Sequence, residues 1–257
     1  MIKNYKLVLE YDGTRYNGWQ KQGNTDNTIQ GRIENILSKY YNQEIEIHGS
    51  GRTDAGVHAK GQVANYKINS KYVSEEISNL TCTEIQRELN SYLPEDIRIL
   101  ELDEANERFH ARLNAKSKTY RYCIFVSDKR PVFIRKYCMA LNSMPDLQAM
   151  EAACDKLLGT HDLAPFSDTK TKKSTTRTIY DITFSTEEND GGIYIYIDFT
   201  GDGFLYHTVR LLVGTLLSIG LGKCSQTIID EIFEKNNRKL VPFLAPAEGL
   251  FLMKVMY

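Results

Sequence analysis

The sequence has little cysteine, little proline, one tryptophan and no excess of either charge: five Cys and six Pro in 257 residues, with a net charge of -1. The cysteines (Cys82, Cys123, Cys138, Cys154 and Cys224) are odd in number, widely spaced and free of any CxxC. That excludes a disulfide framework and a Cys-based zinc site, and it suits buried thiols in a reducing cytoplasm. The histidines (His48, His58, His110, His161 and His207) show no HxxxH spacing, so no metal is expected. A long clean apolar run is also missing. The stretch from Phe204 to Leu221 has the length of a membrane span but contains His207 and Arg210, which fits a buried helix better than a bilayer. The N-terminal MIKNYKLVLEYDG lacks the apolar core and cleavage site of a signal peptide. What is present, 42% hydrophobic and 25% charged residues, is ordinary for a globular chain of one large or two small domains.

The periodicities are more informative. Alternation over 5–11 (YKLVLEY) predicts a strand, and Ile29, Ile33, Ile36, Leu37 and Tyr40 predict a helix, with Asn27 and Gln30 resembling a capping box at its start. Strands follow at 44–49 and 62–68, a helix at 83–92 stopped by Pro94, and a strand at 96–102. This β-α-β-β-α-β order is the ferredoxin-like pattern. The second half predicts strands at 118–126, 178–185, 193–199 and 250–256 and helices at 146–158, 204–221 and 226–236. The expected fold is α+β: two halves, 1–105 and 106–257, sharing one mixed, mainly antiparallel sheet and facing each other across a cleft. A cleft of that kind is a usual ligand site.

The near-neutral total conceals an uneven distribution. Residues 108–136 hold nine Lys or Arg against one acid, Asp128, and residues 170–177 hold four against none. The first segment interleaves Phe109, Tyr120, Tyr122, Phe125 and Phe133. Cations neutralise phosphates and aromatic rings stack on bases, so this is the composition of an RNA footprint. The plainer alternative is a solvated strand face backed by core aromatics.

Between two predicted strands lies Gly49-Ser-Gly-Arg-Thr-Asp-Ala-Gly-Val-His58, whose glycines permit sharp turns around Arg52, Thr53 and Asp54. An aspartate there ordinarily caps its own turn. The 204–221 helix, apolar nearly all round, adds a second observation: Arg210 either lies at the helix edge and snorkels to solvent or is buried, and a buried guanidinium needs a carboxylate. Asp54, Asp198 and Asp202 are the candidates. Asp54 is favoured because a forked pair would orient a reacting oxygen.

These residues resemble a known family. GRTDAGVHAKGQV, with YDGTRYNGWQ at 11–20, RFHARLNAKSKTYRY at 108–122, GFLYHTVRLLVGTLL at 203–217 and AEGLFL at 247–252, is similar to the tRNA pseudouridine synthase TruA family in order and over nearly the whole chain. The resemblance implies two ferredoxin-like halves flanking a central basic cleft, and an isomerase that converts uridine to pseudouridine at positions 38, 39 and 40 of the tRNA anticodon stem-loop, without cofactor or metal, as a cytoplasmic homodimer. It makes Asp54 the catalytic nucleophile, Arg210 the arginine paired with it, Tyr120 the substrate-binding tyrosine and Arg52 the residue that displaces the target base. Thr53, His58, Arg112, Lys118 and Arg121 join as candidates for substrate contact, although local hydrogen bonding is the plainer expectation for His58 and His110.

The chemistry suits these groups. The N1–C1′ bond must break, the uracil turn over and C5 join C1′, and a carboxylate can attack covalently or remove a proton. Attack at the sugar, attack at the base and a glycal route all remain open to it. Residues 70–82 match the family poorly, and Thr208 stands where the family often has Met. Rival readings are a paralogue with drifted site choice, a non-catalytic RNA-binding protein on the same fold, and an enzyme of free nucleosides with paired carboxylates. The last would not need two basic segments.

Overall fold

A computed structural model describes residues 1–23, 25–169 and 173–257. The fold is α+β, with ten strands among the described residues, mixed but mainly antiparallel. The described chain divides into two compact units: Met1–Lys116 together with Leu252–Tyr257, and Ser117–Phe251.

The first unit has the expected β-α-β-β-α-β order. Its elements are β1 (Ile2–Tyr11), α1 (Ile29–Tyr40), β2 (Ile47–Gly49), β3 (His58–Asn69), a one-turn α2 (Glu75–Ser78), α3 (Cys82–Tyr92) and β4 (Ile97–Ala105). The strands lie in the order β4-β1-β3-β2, every neighbour antiparallel, which is the ferredoxin-like arrangement. One prediction is corrected at the start of α1. The N-cap is Thr28, whose Oγ1 accepts from Gly31 N at 3.2 Å, while Asn27 Nδ2 donates to Arg15 O. The capping box occurs instead on α3, between Thr81 and Glu84. Buried Ile29, Ile33 and Leu37 form the core stripe of α1. Buried Glu34 takes the amide hydrogen of Ile47 at 3.1 Å and so fastens the helix to β2.

The chain end returns to this unit. Lys116 N donates to Met256 O at 2.8 Å, and Tyr257 Oη donates to Ala111 O at 2.7 Å. A buried Asn4–Asn65 pair holds the stretch before Lys116. Asn4 Nδ2 donates to Phe109 O, and Asn65 Oδ1 accepts from Ala111 N.

The second unit contains β5 (Ser117–Val126), β6 (Met139–Leu141), α4 (Leu147–Cys154), β7 (Gly159–Asp162), β8 (Thr176–Asn189), β9 (Gly192–Gly201), α5 (Thr208–Gly220) and α6 (Thr227–Lys235). The last strand, β10 (Leu250–Met256), starts in this unit and ends in the first. The order is β5-β9-β8-β7, antiparallel throughout, with β6 parallel to β5. The short β6 and β7 carry too few residues to show a period. The helix expected from 204 starts at Thr208, because His207 adopts the left-handed region at φ 68°. Within α5, Thr215 and Ser218 return their hydroxyls to Leu211 O and Gly214 O, which lets two polar residues sit in a buried helix.

All five cysteines are free thiols. Burial pushes Cys123 and Cys154 up to about 12 and Cys138 to about 11, so they are inert at neutral pH. No helix among the described residues is long and apolar enough to cross a membrane.

Candidate active site

In the first unit the Asp54 loop joins β2 to β3, and the YDGTRYNGW segment lies packed against it. Tyr11 and Thr53 share a buried hydrogen bond between their hydroxyls at 2.8 Å. Burial pushes the Tyr11 phenol far above its usual range, so it stays protonated. Trp19 N donates to Thr53 O at 3.0 Å, and the buried Trp19 ring lies against Gly49, where a Cβ would come within 2.6 Å of the indole. A Cβ on Gly13 would come within 2.0 Å of Val57 O. Gly13 N also donates to His58 Nδ1 at 3.1 Å, and Asp12 Oδ1 lies 3.1 Å from the same nitrogen. From the other side, Gln62 spans the turn. Its Oε1 accepts from Ser50 Oγ at 2.7 Å and its Nε2 donates to Gly51 O at 3.0 Å.

Each buried polar atom named here has its partner, so the loop is held in one conformation. Thr53 and His58 face inward and are buried. Asp54 is half-buried and Arg52 exposed. Val57 N donates to Asp54 O at 3.1 Å, which closes the turn through the aspartate backbone. Arg112, also in this unit, is exposed, with its amide bonded to His110 Nδ1 at 3.1 Å.

In the second unit Tyr120 lies on β5 opposite Phe199 of β9, with its ring edge-on to Phe204 at 5.5 Å. Lys118, two residues earlier, is half-buried. Arg121 faces Asp198 across the same strand pair and binds it with two bonds of 2.7 Å, while its guanidinium lies 5.0 Å from the Tyr196 ring centre. Asp202 accepts from Thr178 N at 3.0 Å. Two of the three carboxylates considered for Arg210 therefore have these partners.

Arg210 is the third residue of α5 and is half-buried. Its Nε donates to Ala245 O at 2.7 Å, and Ala245 N donates to Arg210 O at 3.2 Å. This reciprocal pair fixes the stem of the side chain. Among the described residues no group of three or more His, Cys, Asp or Glu side chains could hold a metal ion. Lys170 and Lys172, half of the second basic segment, lie outside the described residues.

A sequence profile described as tRNA pseudouridine synthase matches residues 7–114 and 153–257. The chain belongs to the tRNA pseudouridine synthase family. It is 45% identical to a tRNA pseudouridine synthase A of Bacillus sp. (strain KSM-64) and 43% identical to a tRNA pseudouridine synthase A 2 of Bacillus cereus, over 100% of both chains in each case. It is 40% identical, again over 100% of both chains, to the tRNA pseudouridine synthase A of Acetivibrio thermocellus. The family is one of isomerases, and this chain matches such relatives from end to end.

For a tRNA pseudouridine synthase, one cluster was not legible in the sequence. Asp168 Oδ2 meets His207 Nδ1 at 2.7 Å, and its Oδ1 accepts from Arg238 Nε at 2.9 Å, just ahead of α5. Burial would raise the Asp168 carboxyl, but the hydrogen bonds from His207 and Arg238 outweigh it and hold the pKa below the usual carboxylate value. A carboxyl depressed on folding stabilises the fold above its unfolded pKa, and that contribution is lost as pH falls through its folded pKa. Asp168→Asn is therefore expected to lower the Tm at pH 7, with the gap from wild type narrowing below about pH 4. Parallel melts at the two pH values check this; equal Tm at pH 7 would show that the cluster adds nothing to the fold.

Proposed function

We propose that this chain converts uridine to pseudouridine at positions 38, 39 and 40 of the tRNA anticodon stem-loop, with Asp54 as the nucleophile. The observation that carries this reading is the Asp54 loop. It is braced on its inner side by Tyr11, Gly13, Trp19 and Gln62, and it carries a half-buried Asp54 beside an exposed Arg52. Such rigid support is what an orienting catalytic group requires. End-to-end likeness to tRNA pseudouridine synthases supplies the reaction class.

Each residue then has a role. Asp54 attacks the flipped nucleotide or removes its proton, and Arg210 acts with it as the cation that keeps a carboxylate ionised. Tyr120 stacks on the uracil, and Arg52 fills the gap left by the displaced base. Flipping a base out of a stem costs a few kcal/mol, which phosphate contacts from Arg112, Lys118 and the basic segments offset. Thr53 and His58 serve from behind, holding the loop. Arg121, engaged by Asp198, stiffens β5 next to Tyr120. The reaction is an isomerisation with no net redox change, and the proposal assigns it no cofactor or metal. The working protein is proposed to be a cytoplasmic homodimer.

Carbodiimide primer extension on unmodified tRNA transcripts tests the site choice. The expected result is enzyme-dependent stops confined to positions 38, 39 and 40. Stops elsewhere, with none in the anticodon arm, would mark a paralogue that reads another part of RNA.

A further inference from the structure

Five aromatic residues lie within the basic stretch 108–136, and the structure separates one of them from the rest. Tyr120, Tyr122 and Phe125 are buried, and the Phe109 ring packs on Tyr257 at 5.1 Å. Phe133 is 91% exposed, beside Val132 at 56%. Both belong to the loop between β5 and β6, in which Lys129, Arg130 and Arg135 are exposed too. The loop is built to present this tip. Ile134 packs against the buried cluster of Cys123, Phe125, Cys138 and Tyr194. Ile134 O accepts from Tyr137 N at 2.8 Å and from Cys138 Sγ at 3.3 Å. Arg135 donates to Val132 O across the tip. Of the five rings Phe133 is the one left in water, and the anchored loop presents it among exposed cations.

We propose that the β5–β6 loop is an RNA-binding prong: Phe133 stacks on an unpaired nucleobase while Lys129, Arg130 and Arg135 neutralise the phosphates on either side. This rests on the reading of the chain as a tRNA-modifying enzyme and adds a contact outside the Asp54, Arg210 and Tyr120 set. Charge decides the occupant. A second copy of the chain meeting this tip symmetrically would set its cations against their own copies. A polyanion with exposed bases satisfies both the cations and the ring.

Filter binding of unmodified tRNA transcripts tests the prong. Phe133→Ala is expected to raise the Kd about tenfold, within the range of a lost base–aromatic stack, and Phe133→Trp to restore it. Lys129→Gln and Arg130→Gln are each expected to reduce the slope of log K against log salt by about one. The ring is exposed, so the Tm of Phe133→Ala should match wild type and the variant should fold. Wild-type affinity in Phe133→Ala would overturn the proposal. So would a halved sedimentation mass, which would assign the tip to contacts between copies. Wild type that neither binds nor modifies tRNA would instead overturn the underlying reading; wild type that does both, alongside an unaffected Phe133→Ala, would overturn the prong alone.

Discussion

Asp54→Ala is expected to lower pseudouridine formation by about 10⁴-fold or more, the scale at which loss of a covalent or proton-transferring group is felt. The Kd for tRNA should remain within a few-fold of wild type, because phosphate contacts supply most of the affinity. The split follows from where the side chain sits. Asp54 is half-buried, and the Tyr11–Thr53 and Gln62–Tyr11 bonds that brace the loop run between other side chains, so truncating Asp54 removes neither of them. Single-turnover assays on saturating enzyme, paired with filter binding, measure both quantities. If Asp54 and Arg210 act as one unit, Asp54→Ala with Arg210→Ala should be no slower than Asp54→Ala alone, since groups that act together are non-additive. A further large drop in the double variant would separate their roles. Turnover retained in Asp54→Ala would remove the residue from the chemistry.

Gly13→Ala is expected to have the second-largest effect, although Gly13 reacts with nothing. An added Cβ would lie 2.0 Å from Val57 O and 2.7 Å from Val57 C. Those are backbone atoms of the Asp54 loop and have no rotamer through which to give way. Overpacking of this kind costs roughly 1–3 kcal/mol, and a loop displaced by about 1 Å costs about 10²-fold in rate. The variant should therefore melt lower and turn over at least about 10²-fold more slowly. Gly23→Ala is the control, since nothing lies within 4 Å of its added Cβ. Equal rates for the two variants would show that the close approach of Gly13 to Val57 does not set the loop.

Much of this was legible in the sequence because the signals are local. Period-2 alternation in 5–11 and the helical spacing of Ile29, Ile33 and Leu37 fall within β1 and α1, and the β-α-β-β-α-β order of the first unit follows from them. The Gly-rich loop stood out because turn residues surround an Asp and an Arg. What could not be read depends on residues far apart in the chain. The start of α1 moved by one residue because Thr28 outcompeted Asn27, which bonds to Arg15 O instead. The shortened α5 reflects His207 at positive φ beside Asp168, a partner 39 residues away. The return of the C-terminus to the first unit rests on Lys116–Met256 and Ala111–Tyr257 bonds that span most of the chain. Nor does composition say that Phe133 alone of five aromatics is left in water, because burial depends on the Ile134 anchor rather than on the local pattern.

The most direct test of the central claim is tritium release from tRNA transcripts labelled at C5 of uridine. Joining C5 to C1′ expels the C5 hydrogen, so isomerisation should release one tritium to water for each pseudouridine formed, with EDTA present or absent. Tight tRNA binding with no release from any unmodified transcript would contradict the account and leave a binding protein on a synthase fold.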